Sequence, residues 1–165
     1  QPFLMEVNTR IQVENGVSAA ISRIKGESGV NLLAEQIRLA LGDNMGYTQN
    51  DITFDGIGVE YRIIAEDPDN KFAPWVGRID SFQWPDYPWL KMHTQVPLDR
   101  AYEIPTDYDP NLALAIVWGE DLDQVKRRGH RLLDTIDLQG ENKSAESLRS
   151  NLRFLAANTD HILEF

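Results

Sequence analysis

Five polar residues alternate along one short segment near the start of the chain. Glu6, Asn8, Arg10, Gln12 and Glu14 occupy every second position. In a β-strand, alternate side chains share one face and lie roughly 6.6–7 Å apart, because each residue advances the chain by about 3.3–3.4 Å. That spacing suits several contacts to one polyanionic ligand. On pattern alone, the more ordinary alternative is the solvent face of an edge strand.

The residue types on this face would allow a metal-assisted activation of a small anion. A carboxylate from Glu6 and an amide oxygen from Asn8 are the hard donors that Mg²⁺ prefers. The planar fork of Arg10 can hold a small carboxylate-like anion through two hydrogen bonds. The carboxylate of Glu14 can then accept a proton from that anion.

A second candidate is Arg62, which lies in the otherwise apolar segment 59–65. An arginine in a buried strand is rare unless it is paired. Two interpretations stay open: a structural ion pair with Glu60 or Glu66, or a functional arginine that faces an anion in a cleft.

An aromatic cluster could stack a flat ligand, but side chains of this kind more often form a core or an interface. We therefore expect packing from its members, Trp75, Phe82, Trp84, Tyr87 and Trp89.

The apolar pattern predicts the elements that would position these side chains. Residues 3–13 alternate with period two and predict a strand, and Asn15-Gly16 predicts a turn. Residues 30–41 predict a helix that Asn31 caps and Gly42 terminates. The intervening segment, 17–25, could be a short helix or a loop.

From residue 57 onward the pattern is mainly β. The predicted strands are 57–65, 77–84, 90–96 and 112–118, and the last is a nearly continuous apolar run. Two helices follow, one at 121–137 and one capped by Ser144 with an apolar stripe of Leu148, Leu152 and Leu155. This order predicts an α+β fold with antiparallel pairing.

Composition excludes several kinds of site. The 165 residues carry a net charge of −10, which disfavours a nucleic-acid partner. There is no cysteine, so disulfides and thiolate metal sites are excluded. We expect no membrane partner and a cytoplasmic location, because there is no apolar run near the ~20 residues of a membrane span and the first residues do not resemble a signal peptide. An apolar strand at the very start predicts that the chain is a fragment.

Residues 5–14, MEVNTRIQVE, closely resemble the E-x-N-T-R-x-Q-V-E-H stretch of biotin carboxylases, modules of acetyl-CoA, propionyl-CoA, pyruvate and urea carboxylases. Residues 30–38 are similar to the helix that follows in that family, and 58–68 to its G-x-A-x-E-x-R-I-x-A-E-D-P element. Further matching positions are Phe72, Pro74, Gly77, Ile79, Tyr102, Pro105, Tyr108 and Asp109.

The resemblance implies a fold and a division of the chain. Residues 1–48 would be the carboxyl-terminal tail of an ATP-grasp domain. Residues 49–165 would be the biotin carboxylase C-terminal domain, a small antiparallel β-sheet domain with flanking helices. The family's glycine-rich loop, phosphate-binding lysines and other metal carboxylate precede this region and are absent here, so we expect the fragment alone to be inactive and to bind none of the cofactors tightly.

The resemblance also implies an ATP-dependent C–N ligase that makes carboxybiotin from bicarbonate, MgATP and biotin, as in the acetyl-CoA carboxylase of fatty acid biosynthesis. It assigns Mg²⁺ to Glu6 and Asn8, and bicarbonate to Arg10, Gln12 and the backbone of Val13. Arg10 and Glu14 are catalytic residues by this comparison, with Glu14 as the general base. Arg62 matches the catalytic residue that binds biotin and stabilises its enolate.

The implied partners are the remainder of the ATP-grasp body and the biotin carboxyl carrier and carboxyltransferase domains or subunits. Two departures from the family pattern, the missing lysine and the altered turn, leave an alternative open, a non-catalytic packing or assembly module. Asn15-Gly16 replaces His-Pro, the segment 109–114 lacks the family's lysine, and 85–89 lacks its glycine-rich turn.

Overall fold

The computed structural model describes residues 3–107 and 109–164. Tyr108, one of the positions that resemble the family, lies outside the described residues. Within this part of the chain the helices are α1 (Asn15–Ile21), α2 (Leu32–Ala40), α3 (Leu122–Thr135) and α4 (Leu152–Ile162). The strands are β1 (Ser22–Ile24), β2 (Ile52–Phe54), β3 (Ile57–Ile64), β4 (Glu66–Asp67), β5 (Ala73–Pro74), β6 (Arg78–Gln83), β7 (Leu90–Thr94), β8 (Tyr102–Glu103), β9 (Asn111–Gly119) and β10 (Asp137–Glu141).

Antiparallel pairing organises all the strands, as the α+β prediction requires. One three-stranded sheet has the order β3-β9-β7, and another has the order β10-β6-β8. The pairs β1-β2 and β4-β5 form two small additional sheets. Among the described residues, no helix is both long enough and apolar enough to cross a membrane.

The core forms around β9, which pairs with strands on both of its sides. Its continuous apolar run is buried because a central strand covered on both faces has no side that can be polar. From α3, Val125, Leu132 and Leu133 are buried at helical spacing, which confirms the predicted amphipathic helix. Trp75 and Phe82 are also buried in this core, as expected for the aromatic cluster.

The predicted strand at residues 3–13 is wrong for this chain. Residues 3–9 lie in no helix or strand, and the side chains of Phe3, Leu4, Met5 and Val7 are between 73% and 94% exposed. Alternation decides which side chains share a face, but a strand also needs a neighbour for its backbone hydrogen bonds. No described strand pairs with this segment.

Residues 17–42 form more regular structure than expected, and the helix among them is more exposed than expected. Segment 17–25 splits into the end of α1 and the strand β1. The side chain of Asn31 caps α2 by accepting from the amide of Ala34 at 3.0 Å, and Gly42 has a positive φ of 95°, both as predicted. The apolar stripe of α2, however, is exposed at Leu33, Ile37 and Leu41.

The predicted start of the last helix at Ser144 is also wrong. The side chain of Asn142 accepts from the amides of Ser144 and Glu146, at 2.9 and 3.0 Å, and so forms a side-chain turn. This turn follows β10, and the helix begins only at Leu152.

Candidate active site

Close packing of α1 on the sheet brings the end of the polar segment to the middle of β3. A side-chain carbon at Gly58 would lie 3.1 Å from Val17 and 3.3 Å from Ile21, so the helix rests directly on β3. Gly16 approaches Ile116 so closely that a side-chain carbon there would displace it. Glu14 is the residue immediately before α1, and this packing places it over β3.

A three-residue ion-pair network results. Arg62 Nη2 donates to Glu14 Oε1, and Arg62 Nε donates to Glu60 Oε1 at 3.0 Å. The side chains are unequally exposed: 5% for Glu60, 44% for Arg62 and 55% for Glu14. The two candidate catalytic residues Glu14 and Arg62, separated by 48 positions, are therefore in contact.

The sequence interpretation of Arg62 needs one correction. Arg62 is not buried within the strand, because Tyr61 and Ile63 fill the core face of β3 and Arg62 points to the opposite face. The buried member of the pair is Glu60. The alternative of an ion pair with Glu60 is confirmed, and it coexists with the contact to Glu14.

Hydrogen bonding and nearby charges favour the ionised form of Glu14. A hydrogen bond from its own backbone lowers the pKa of Glu14, and the guanidinium groups of Arg62 and Arg10 lower it further. Hydrogen bonding to Glu60, together with the charges of Glu60 and Glu14, raises the pKa of Arg62. Glu14 is thus a carboxylate that can accept a proton. Its hydrogen bond with Arg62 must break before Oε1 can do so.

Asn15 fixes the turn that precedes α1. Its Nδ2 donates to the carbonyls of Gln12, at 2.8 Å, and Val13, at 3.3 Å. Its backbone amide donates to the Gln12 carbonyl as well, at 3.2 Å. An asparagine can bond to nearby backbone in this way, so the residue that replaces the family's histidine holds the backbone of Gln12 and Val13 directly.

In the earlier part of the polar segment, the side-chain hydrogen bonds are local and long. Asn8 Nδ2 donates to Glu6 Oε1 at 3.5 Å, and Arg10 Nη1 donates to the carbonyl of Ile11 at 3.3 Å. The described residues include no group of three or more acidic, histidine or cysteine side chains that could hold a metal ion. Glu6 and Asn8 offer one carboxylate and one amide oxygen, which fits Mg²⁺ because that ion usually takes one or two carboxylates together with substrate phosphates.

Asn151 holds β3 from the other side, and sequence reasoning missed it. Its side chain is buried, accepts from the amide of Ile64 at 2.9 Å and donates to the carbonyl of Arg62 at 2.9 Å. Its backbone amide also donates to the carbonyl of Ile64 at 3.1 Å. An asparagine just before a helix suggests a cap, and this pattern alone gives no sign of a contact 89 residues away.

Residues 60–161 match the family model of the biotin carboxylase C-terminal domain. The chain belongs to this family. It is 37% identical over 161 residues to a biotin carboxylase of Nostoc sp., covering 96% of this chain and 34% of that protein. It is 41% identical over 135 residues to a chloroplastic biotin carboxylase of Arabidopsis thaliana, covering 81% of this chain and 24% of that protein.

A solved biotin carboxylase domain has the same fold. The domain of Hydrogenobacter thermophilus 2-oxoglutarate carboxylase, a dimer in complex with MgADP, ADP and bicarbonate, superposes with a TM-score of 0.81 at 31% identity. The match covers 96% of this chain and 32% of that one. The chain therefore spans about a quarter to a third of the length of these relatives, and the family and fold expectations are confirmed.

Proposed function

We propose that the chain is the carboxyl-terminal part of an ATP-dependent biotin carboxylase, a C–N ligase that forms carboxybiotin. The observation that carries this proposal is the Glu14–Arg62 contact at the junction of α1 and β3. It joins a proton acceptor to a cation in one site, and Arg10 is close enough to lower the pKa of the same carboxylate. The bicarbonate and MgADP in the related H. thermophilus domain are the ligands that such a site would use.

Bicarbonate activation is the first task of this site. Arg10, the side chain of Gln12 and the backbone of Val13 hold the anion, and Glu14 takes its proton. The resulting carbonate dianion is the stronger nucleophile, and its oxygen attacks the γ-phosphorus of ATP to give carboxyphosphate and ADP. Glu6 and Asn8 would hold Mg²⁺, which would neutralise charge on the phosphates.

Arg62 serves the second half of the reaction. Carboxyphosphate breaks down to carbon dioxide and phosphate. The released phosphate takes the proton of the biotin ureido nitrogen, and this nitrogen then attacks the carbon dioxide. The departing proton leaves negative charge on the ureido oxygen of biotin. A guanidinium donor placed at that oxygen stabilises this charge as it develops.

Exposed apolar surfaces support the proposed partners. Phe3, Leu4, Met5 and Val7 are exposed, as is the α2 stripe. Contiguous exposed apolar residues mark surfaces that another part of a protein covers. We assign that cover to the remainder of an ATP-grasp body, of which residues 1–48 would be the carboxyl-terminal tail. The C-terminal domain would comprise residues 49–165. A carrier domain and a carboxyltransferase complete the assembly.

A non-catalytic packing module is the alternative, and one observation favours it. Arg62 donates a hydrogen bond to Oε1 of Glu14, the carboxylate proposed to take the proton of bicarbonate. The test uses the full-length protein that carries this chain, with ADP release and carboxybiotin measured as functions of bicarbonate and biotin. We expect turnover that requires both, loss of bicarbonate dependence in Arg10→Ala, and normal turnover in Arg38→Ala, whose side chain pairs with Glu35 and Asp43 on α2 and its following loop.

The 165-residue chain by itself is a useful reference in that assay, and we expect it to release no ADP. Wild-type full-length protein without bicarbonate-stimulated ADP release would contradict the ligase proposal and favour the packing module.

A further inference from the structure

Glu60 is the buried residue of the network, and the proposed reaction gives it no role. Its side chain is 5% exposed, whereas its partner Arg62 is 44% exposed. Oε1 accepts from Arg62, but Oε2 is buried without a hydrogen-bond partner among the residues that the structure describes. Burying a carboxylate costs free energy unless it is paired, so one hydrogen bond from Arg62 is the compensation that the described part of the chain provides.

The two carboxylates hold different nitrogen atoms of Arg62. Glu60 holds Nε, the nitrogen nearest the backbone, and Glu14 holds Nη2 at the outer end. Because the guanidinium is planar with donors in a fixed fork, fixing Nε also fixes the plane in which Nη1 and Nη2 point. Asn151 holds the carbonyl of the same residue at 2.9 Å, so the strand beneath the side chain is fixed as well.

We propose that Glu60 is the positioning residue of Arg62. It retains Nε while Nη2 exchanges the carboxylate of Glu14 for an anionic oxygen of the substrate. Glu14 is then released to accept a proton, and the guanidinium stays aimed at the reacting atoms. The inference rests on the proposed function, since the exchange has a purpose only in a site where Arg62 meets an anion.

A purely structural ion pair makes a different forecast, and the chain contains a comparable pair with a more exposed carboxylate. On β6, Arg78 Nε donates to Asp80 Oδ1 at 2.6 Å. The spacing along the strand and the donor nitrogen are those of the Arg62–Glu60 pair, but Arg78 contacts neither Glu14 nor Arg62. Asp80→Asn therefore controls for the loss of a carboxylate from an i, i+2 pair of this kind.

The first test measures coupling in the full-length protein. Glu60→Gln keeps the size and one oxygen acceptor but removes the charge that fixes Arg62. We expect the yield of carboxybiotin per ATP cleaved to fall about tenfold, the size of effect expected for one charge-assisted hydrogen bond. In an Arg62→Ala background the same substitution should cause no further loss, whereas Asp80→Asn should leave the yield unchanged in either background.

The second test needs no activity. In the 15N-labelled chain, the Nε–H signal of Arg62 should exchange slowly with solvent, and Glu60→Gln should speed that exchange several-fold while the signal of Arg78 stays unchanged. Glu60→Asp, which keeps the charge but shortens its reach, provides a second variant with the same expected direction. Melting temperatures identify any variant that does not fold.

Two outcomes would overturn the inference: a Glu60→Gln yield and Arg62 signal like those of wild type, or a loss that simply adds to that of Arg62→Ala. Absence of bicarbonate-dependent turnover in the wild-type protein contradicts the proposed function instead. In that case the Arg62 exchange rate still decides whether Glu60 fixes the guanidinium.

Discussion

The carboxylate of Glu14 contacts the guanidinium of Arg62, although 48 positions separate them in the chain. The contact pairs the proposed proton acceptor with the proposed stabiliser of biotin's negative charge. While it persists, Oε1 of Glu14 and Nη2 of Arg62 are engaged with each other. We expect substrate binding to separate them, and variants of the two residues should fail at different steps.

Replacing Arg62 with alanine should uncouple the two halves of the reaction. Glu14 remains available to activate bicarbonate, so part of the ATP cleavage should continue. Carboxybiotin formation should fall about 10²–10³-fold, as is typical when one preorganised oxyanion donor is removed. Parallel assays of ADP and carboxybiotin on Arg62→Ala measure the ratio. If both products stay near normal in the folded fraction while the melting temperature drops, Arg62 serves structure alone.

Glu14→Gln should stop both halves together. Glutamine retains the shape and can still accept from Arg62, but it cannot take a proton from bicarbonate. We expect bicarbonate-dependent ADP release and carboxybiotin to fall in parallel, by about 10²–10⁴-fold, the usual contribution of a general base. Single-turnover measurements with excess enzyme give both values. A variant that still cleaves ATP at the wild-type rate would exclude Glu14 as the base.

The ionisation of Glu14 should depend on Arg62 in a defined direction. The pKa of Glu14 is lowered from its ordinary value of 4.5 by its backbone hydrogen bond and by the nearby guanidinium groups, so these interactions stabilise the fold above that value. This stabilisation is lost as the pH falls through the lower folded-state pKa. Arg62→Ala should raise the Glu14 pKa, measured by 13C NMR of the carboxyl carbon.

Glu66 is an internal reference for that titration. Burial raises the pKa of Glu66, the opposite direction from Glu14, and Arg62 does not contribute to this shift. Its titration should therefore be the same in wild type and in Arg62→Ala. A shift of both residues together would indicate a general loosening of the fold rather than the loss of one ion pair.

Asn15→Ala should weaken bicarbonate binding more than it slows the chemistry. The substitution removes the side-chain hydrogen bonds that hold the carbonyls of Gln12 and Val13. We expect the KM for bicarbonate to rise about tenfold with kcat within about twofold of wild type, as expected when uniform binding is lost. Asn15→His, which restores the residue typical of the family pattern, should have a smaller effect. An unchanged KM in Asn15→Ala would show that the turn holds without this side chain.

Asn151→Ala should destabilise the domain. It leaves the amide of Ile64 and the carbonyl of Arg62 without their side-chain partner in a part-buried site. Each buried polar group left unpaired costs about 1–3 kcal/mol, so we expect a loss of about 2 kcal/mol or more in the free energy of unfolding. Urea denaturation measures it. Asn158→Ala removes one exposed bond to the carbonyl of Phe154 and should cost less than half as much.

Sequence reasoning succeeded where local pattern and burial agree. The apolar run of β9 and the amphipathic spacing of α3 each fix an element without further information, because a central strand and a helix lying on a sheet have characteristic periods. The ten-residue match at 5–14 led to the correct family because it is long, and no burial pattern was needed for it.

It failed where an outcome depends on partners far away in the chain. Alternation at residues 3–13 could not reveal whether a neighbouring strand exists, and the side-chain turn at Asn142 competes with a helix start that Ser144 would also permit. Arg62 was expected to be buried because its neighbours are apolar. The structure contradicts that expectation. The apolar neighbours lie on the core side of β3, and on the opposite side the buried side chain is that of Glu60.

The position of Asn151 also matters for how the domain avoids unwanted association. β3 is an outer strand of its sheet, and outer strands expose backbone groups on which another molecule can add a strand. Asn151 takes up the carbonyl of Arg62 and both backbone groups of Ile64. The groups that an incoming strand would need at this end are therefore already satisfied, so the residue that steadies Arg62 also protects the sheet from edge-to-edge aggregation.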